Sequence, residues 1–307
     1  MGEQDATGVL QAYRLALFTK NRTNPAYVGA RLGAERMAER LGCVVAHYVP
    51  DKPDNVEEQR LLLARALHEG ADAIVLAPTH ATALNGVLSR LQSRGIPLVC
   101  FISRPQGIDP VCCLGANDRE LARGIADYLF DHLSADARVV SIEGHVDAMT
   151  TAPRALGFRD AAAARAGVRI VGSSNGDFQF EGGQAAMPDL LQAQHPIDGV
   201  LAANDSMALG ALEAMRQSHR LCPIVAINAT PDGIKAIKNG TLLASAAFDA
   251  MKLAALAVEA AVRVLKGGSV PSELVLPAEI VDRFNCEAWD RPYEARPLPE
   301  WHRLVAP

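Results

Sequence analysis

Val200–Met215, VLAANDSMALGALEAM, places a buried strand, a polar stop and an amphipathic helix in one run. Val200-Leu201-Ala202-Ala203 is short and wholly apolar, as a parallel strand covered on both faces is. Asn204-Asp205-Ser206 then offers side chains that accept hydrogen bonds from the first free N–H groups of a helix. Met207, Leu209, Gly210, Leu212 and Met215 follow at roughly helical spacing. The stretch is a strand-to-helix corner. In doubly wound sheets, ligands lie just outside the carboxyl ends of strands, so Asn204 stands where a polar ligand group would be met. The alternative is that Asn204 only caps the helix.

The same rhythm runs outward from this corner in both directions. Toward the N-terminus, strands are predicted at Arg14–Phe18, Cys43–Val49, Ala73–Leu76, Ile96–Phe101, Val111–Leu114, Arg138–Ile142 and Arg169–Val171. Helices open at Asn24-Pro25, Asp54-Asn55, Pro78-Thr79, Asn117-Asp118, Thr150–Pro153 and Gly182. Toward the C-terminus come a strand at Pro223–Ile227, a short helix capped by Thr230-Pro231-Asp232-Gly233, a strand at Leu242–Ala247, an Ala-rich helix at Met251–Leu265 and a late strand at Glu279–Val281. Alternation of this kind argues an α/β fold with a parallel sheet covered on both sides. Its restart near Asn117 argues two similar doubly wound lobes.

Composition narrows the function. The 307 residues are 49% hydrophobic and 21% charged, which suits a compact protein with real cores, and a net charge of −5 leaves no basic field to gather nucleic acid. No apolar run reaches the ~20 residues that span a bilayer. The start, MGEQDATGVLQAYR, lacks the charged and apolar regions of a signal peptide, so either the chain is cytoplasmic or a leader lies outside this sequence. Cys43, Cys100, Cys112, Cys113, Cys222 and Cys286 show no metal-binding spacing, and no metal or other cofactor is expected. Cys100, Cys112 and Cys113 read as buried thiols, with Cys112 and Cys113 on opposite faces of a strand. His145-Val146-Asp147 reads as solvated loop. Catalytic residues are not expected either: G-x-S-x-G, the phosphate loop and G-x-G-x-x-G are all missing.

Residues following the strands are Lys20 and Asn24, Ser103 and Arg104, Thr150 to Arg154, Phe178, Asn204, Asn228 and Phe248. Polar groups interleaved with aromatics suit a polyhydroxylated ligand, whose hydroxyls need donors and acceptors while its C–H faces lie on rings. Each residue has a blander alternative: solvated cations, core phenylalanines, and Asn228 as a cap.

Asn24-Pro25-Ala26-Tyr27, Ile96-Pro97 with Ser103-Arg104, Arg154-x-x-Gly157-Phe158, Asn204 to Gly210 and Thr230 to Gly233 resemble the ribose/galactose-type solute-binding proteins of ABC transporters, over residues 14 to about 282. The resemblance implies the type I periplasmic binding protein fold, shared with lac-repressor-like effector domains. It implies lobes of 12–116 plus 249–277 and 117–248 plus 278–307, joined by three crossovers and closing on a sugar, polyol or sugar acid about hinges near Asn117, Phe248 and Ala278. A monomer partnered by a membrane permease, in the periplasm, follows from the same resemblance. In that pattern Asn24 and Tyr27 meet the ligand, Arg104 and Arg154 donate to hydroxyls, Phe178 stacks and Asn204 closes the second lobe. Departures are Ser103 and Asn228 where acids are usual, Phe248 for a glutamine, Ala26 for an aromatic, and Lys20 for a small polar residue. They point to a ligand that is anionic, or one that depends less than ribose on carboxylate acceptors. A ligand-sensing regulator or chemoreceptor-partner domain of the same fold is the alternative, although no helix-turn-helix precedes the first strand. The tail from Phe284 to Pro307 is expected to pack over a lobe.

Overall fold

A computed structural model describes residues 12–193 and 196–305. The residues read for a leader before position 12, and the last two of the tail, lie outside the described residues. In chain order the first half holds β1 (Arg14–Phe18), α1 (Pro25–Leu41), β2 (Val44–Tyr48), α2 (Val56–His68), β3 (Ala73–Leu76), α3 (Asn85–Ser93), β4 (Leu98–Phe101), β5 (Cys112–Gly115), α4 (Asp118–Phe130) and β6 (Arg138–Glu143). The second half holds α5 (Thr151–Ala163), β7 (Arg169–Asn175), α6 (Phe180–Ala193), β8 (Gly199–Ala202), α7 (Asp205–Gln217), β9 (Ile224–Ile227), α8 (Pro231–Lys238), β10 (Ala244–Ala246), α9 (Ala250–Leu265), β11 (Glu273–Val275), β12 (Ile280–Asp282) and α10 (Trp301–Leu304).

Two six-stranded sheets result, ordered β2-β1-β3-β4-β5-β11 and β7-β6-β8-β9-β10-β12. All pairings are parallel except β10 with β12. The two orders are the same, so each sheet has one switch point, β1/β3 in the first and β6/β8 in the second, where the chain winds in opposite directions and leaves a crevice. Three crossovers connect the sheets, and they bond to one another: Leu276 N–H donates to Gly115 O (2.8 Å) and Ala247 N–H to Glu279 O (2.7 Å). The cysteine expectations hold, since Cys112 packs in one buried cluster and Cys113 with Cys100 in the other.

Helix starts follow local chemistry. Asn24, Asn55, Asn117, Asn204 and Thr230 each accept from a backbone N–H of the helix they open. Close packing explains Gly210 in the opening stretch: α7 lies so near α6 that a Cβ there would sit 2.0 Å from Phe180 O. Asp205, the residue after the cap, turns away from its own helix. Its carboxylate accepts from Thr230 N–H (2.7 Å), Thr230 Oγ1 (2.8 Å) and Ser245 Oγ (2.6 Å), tying the ends of β8, β9 and β10 together.

Three sequence expectations differ from the structure. No helix opens at Pro78-Thr79, because the Thr79 N–H and hydroxyl both bond Gln59 Oε1 (2.8 and 3.0 Å); α3 begins instead at Asn85. Strand β7 continues past Val171 to Asn175, because an irregularity between Val139 and Val140 keeps its polar half in register with β6. Pairing overrides composition there. Strand β11, three residues on an edge, was too short to read.

Burial without a cation at hydrogen-bond range pushes the Asp205 carboxyl up to about 6. An unfolded aspartate titrates near ~3.9. Between those values the folded chain keeps a proton that the unfolded chain has released, so stability falls as pH rises through the window. The expected cost is on the order of 2–3 kcal/mol between pH 4 and 6, and Asp205→Asn should remove it. Denaturant titrations of both proteins at pH 4, 5 and 6 test this; a stability difference between them that does not change with pH would refute it.

Candidate functional site

Loops at the carboxyl ends of both sheets face each other across a cleft holding about 470 Å³ not filled by protein atoms. Lys20, Asn24, Ala26, Tyr27, Asp54 and Ile102 line it from the first lobe, and Ala148, Thr150, Arg154, Phe178, Asn204 and Asn228 from the second, with Phe248 on a crossover. Of the residues singled out in the sequence, Lys20, Asn24, Tyr27, Arg154, Phe178, Asn204, Asn228 and Phe248 therefore converge.

Two do not. Arg104 has a side chain 42% exposed and reaches toward Asp109 Oδ1 (3.4 Å), outside the lining. It follows Ile102, whose φ of +70° is unusual for a β-branched residue and redirects the chain after β4. Ser103 is buried but lies outside the lining, and its Oγ has no hydrogen-bond partner among the described residues.

Arg154 is held by both an ion pair and two rings. Only 3% exposed, it donates through Nε to Asp118 Oδ1 (2.6 Å) and through Nη1 to Ala203 O (2.6 Å), while its guanidinium stands 5.0 Å from the Phe248 ring and 5.8 Å from the Phe178 ring. Stacking on aromatic faces leaves the remaining in-plane N–H groups as donors.

Asn204 resolves the two alternatives at the opening corner. Its Oδ1 accepts from Met207 N–H (2.8 Å) and its Nδ2 donates to Phe178 O (3.0 Å), so the side chain caps α7 and holds the Phe178 loop while also lining the cleft. That loop needs holding, since Asp177 and Phe178 both have positive φ (51° and 60°). The Phe178 ring lies against Gly144, where a Cβ would be 2.0 Å from its Cζ.

Lys20 is 2% exposed, and among the described residues its ammonium makes no hydrogen bond to protein. Burial lowers its pKa, while Asp54 and Asp118 act to raise it. Asp54 and Asp118 have carboxyls raised by burial and drawn back down by Lys20 and Arg154 respectively. Arg154 thus pairs with Asp118 (2.6 Å), while Lys20 and Asp54 are held near each other by the Asp54 N–H bond to Lys20 O (2.9 Å) and influence each other's charge with no ion pair between them among the described residues. In the sequence both aspartates read only as helix openers. Two other acids lie elsewhere: Glu143 pairs with Arg159 (3.2 Å), and Asp249 caps α9 at Lys252 N–H (3.0 Å). A sequence signal for the missing pair existed. Asp54-Asn55 and Asn117-Asp118 each hold two cap-competent residues, only one can cap, and in both it is the asparagine.

Among the described residues no group of histidines, cysteines and acids is arranged to hold a metal, and no helix is long and apolar enough to cross a membrane. Two doubly wound lobes around a cleft of this kind define a two-lobed ligand-binding protein. The chain belongs to the family described as periplasmic binding protein domain, which it matches over residues 15–269. It is 28% identical over 278 residues to the ribose import binding protein RbsB of Bacillus subtilis, covering 89% of this chain and 88% of that one. To the D-ribose/D-allose-binding protein of Pseudomonas aeruginosa it is 30% identical over 286 residues, with 87% and 88% covered. A Mycobacterium smegmatis structure in complex with β-D-fucofuranose superposes with a TM-score of 0.84 at 26% identity, covering 90% of this chain and 93% of that one. An Actinobacillus succinogenes solute-binding protein with bound D-allose shares the fold, with a TM-score of 0.86 at 22% identity and coverage of 90% and 99%.

Proposed function

We propose that this protein is the solute-binding component of an ABC importer, working as a monomer in the periplasm, and that it captures a neutral monosaccharide or polyol. The lobes close about the three crossovers near Asn117, Phe248 and Ala278 and deliver the ligand to a membrane permease without chemical change. The observation that carries the ligand class is the pairing of charge inside the cleft. With Asp54 beside Lys20 and Asp118 bonded to Arg154, a ligand carboxylate would be one buried negative charge too many, while hydroxyls can donate to Asp54 and accept from Lys20 and Arg154, all three of which line the cleft. Relatives that take ribose, or ribose and allose, bind neutral sugars, in keeping with this reading. This reading sets aside the anionic ligand, one of the two kinds that the sequence left open. Phe178 and Phe248 supply the faces against which sugar C–H groups rest.

A thermal-shift screen of sugars, polyols and sugar acids, followed by calorimetry on matched pairs, tests this. Each aldose or alditol is expected to bind at least about tenfold more tightly than its aldonic acid, a difference of ~1.4 kcal/mol. Acids that bind tighter than their neutral partners would overturn the ligand class. A screen in which no sugar or polyol stabilises the protein would overturn the function.

A further inference from the structure

After β12 the chain runs on through two short 3-10 turns, Cys286–Ala288 and Tyr293–Ala295, to α10, and it touches both lobes on the way. On the second lobe, Lys238 of α8 pairs with Asp290 (2.5 Å) and Glu287 (3.2 Å). On the first, Arg36 of α1 donates to the carbonyls of Tyr293 (3.0 Å) and Arg296 (2.8 Å). The Tyr293 ring lies on Gly29 of the same helix, where any Cβ would be 2.7 Å from its Cζ. Further on, Arg263 of α9 sits 4.9 Å from the Trp301 ring. Sequence reading placed this segment over one lobe; it spans both.

Arg296 lies at the centre of the span and is 5% exposed. Its guanidinium donates to Ala229 O through Nη1 and Nη2, to Trp289 O and to Arg291 O, all at 3.2 Å, and lies over the Trp289 and Tyr293 rings. Ala229 is no ordinary acceptor. It and Asn228, which lines the cleft, have φ of 50° and 129°, conformations that non-glycine residues keep only when their surroundings hold them there. Asn228 N–H bonds Ala246 O (2.8 Å), Ala229 N–H bonds Ser245 Oγ (3.0 Å) and Thr230 N–H bonds Asp205 (2.7 Å). These three restraints come from the second lobe's own core, and the fourth, on the Ala229 carbonyl, comes from the tail.

We propose that residues 286–305 form a clasp that holds the two lobes together before ligand arrives, and that Arg296 is a positioning residue which fixes Asn228 at the cleft through Ala229. If α1 swings away from Asn228 as the lobes part, the tail can follow only one of them. Either the Arg36 bonds or the Arg296 bonds must then break, and each set is charge-assisted. The clasp therefore shifts the open–closed equilibrium toward closed, so that binding costs less ordering of the lobes. This inference rests on the hinge-closing reading above, but its test needs no ligand, so a failure to find the sugar leaves the result intact.

The experiment uses the full chain in sugar-free buffer, with small-angle scattering for lobe separation and amide exchange for the corner. Wild type should scatter as the closed form. Arg36→Ala, which removes the charge-assisted bonds between α1 and the tail and leaves Tyr293 on Gly29, should give a larger radius of gyration while exchange at Ala229 and Thr230 stays unchanged. Arg296→Ala should enlarge the particle and also speed exchange at those two amides by about tenfold or more, with Arg296→Lys intermediate. If Arg296→Ala does not fold, Arg36→Ala and Arg296→Lys carry the test. Wild type that scatters as an open form, or Arg36→Ala that scatters as wild type, would overturn the clasp. Wild-type exchange at Ala229 and Thr230 in a folded Arg296 variant would overturn the positioning role.

Discussion

Arg154→Ala is expected to lower unfolding free energy by ~3–5 kcal/mol, the usual cost of removing one partner from a buried ion pair, and to abolish measurable ligand binding. The stability loss has a specific source. Asp118 Oδ1 loses the donor at 2.6 Å and Ala203 O loses its own at 2.6 Å, and both acceptors stay buried. Arg154 draws the Asp118 carboxyl down against its burial, so in the variant that carboxyl should rise further. The sign is then fixed. Folded Asp118 in the variant holds its proton to higher pH than the unfolded chain does, so the charge penalty is present at neutral pH and fades as pH falls. The gap between variant and wild type should therefore narrow below about pH 5, and adding Asp118→Asn should recover part of the loss at pH 7. Urea titrations of the single and double variants at both pH values measure this. A single variant within ~1 kcal/mol of wild type at pH 7 would show that the pair contributes little.

Lys20→Met is expected to do the opposite: it should leave the protein folded while weakening the best ligand of the sugar screen by at least about a hundredfold, or ~2.7 kcal/mol. The ammonium is desolvated, which costs the folded state, and Met fills the same space without that penalty. Binding suffers because Lys20 lines the cleft, and a charged donor to a buried hydroxyl contributes ~1.5–3 kcal/mol. Asp54 should also climb once Lys20 no longer draws it down. Burying that unpaired carboxylate under a ligand costs free energy that protonation removes, so the residual affinity should rise when the same titration is repeated at lower pH. Calorimetry at pH 5 and 7 checks both statements. Unchanged affinity would place Lys20 among the structural residues of the lobe.

The largest elements of this protein were legible because they depend on local chemistry. The strand at Val200, the stop at Asn204 and the helix behind it are set by an apolar run and a cap-forming side chain, and helix starts are marked in the same way at Asn24, Asn55 and Asn117. Eight residues that line the cleft were legible too, because a parallel α/β sheet presents the loops after its strands at one edge. The rest depended on contacts between distant parts of the chain. Thr79 could have capped a helix and bonds Gln59 instead, and the polar half of β7 is a strand only because β6 lies beside it. Arg104 and Arg154 read alike in sequence, yet one meets Asp109 at the surface and the other meets Asp118 and two phenylalanines in the cleft. The charge of the site is the sharpest case. Whether Asp54 and Asp118 cap their helices or turn toward Lys20 and Arg154 depends on distances between residues far apart in the chain. Burial is the reason those distances matter, because a charge removed from water is stable only beside its opposite.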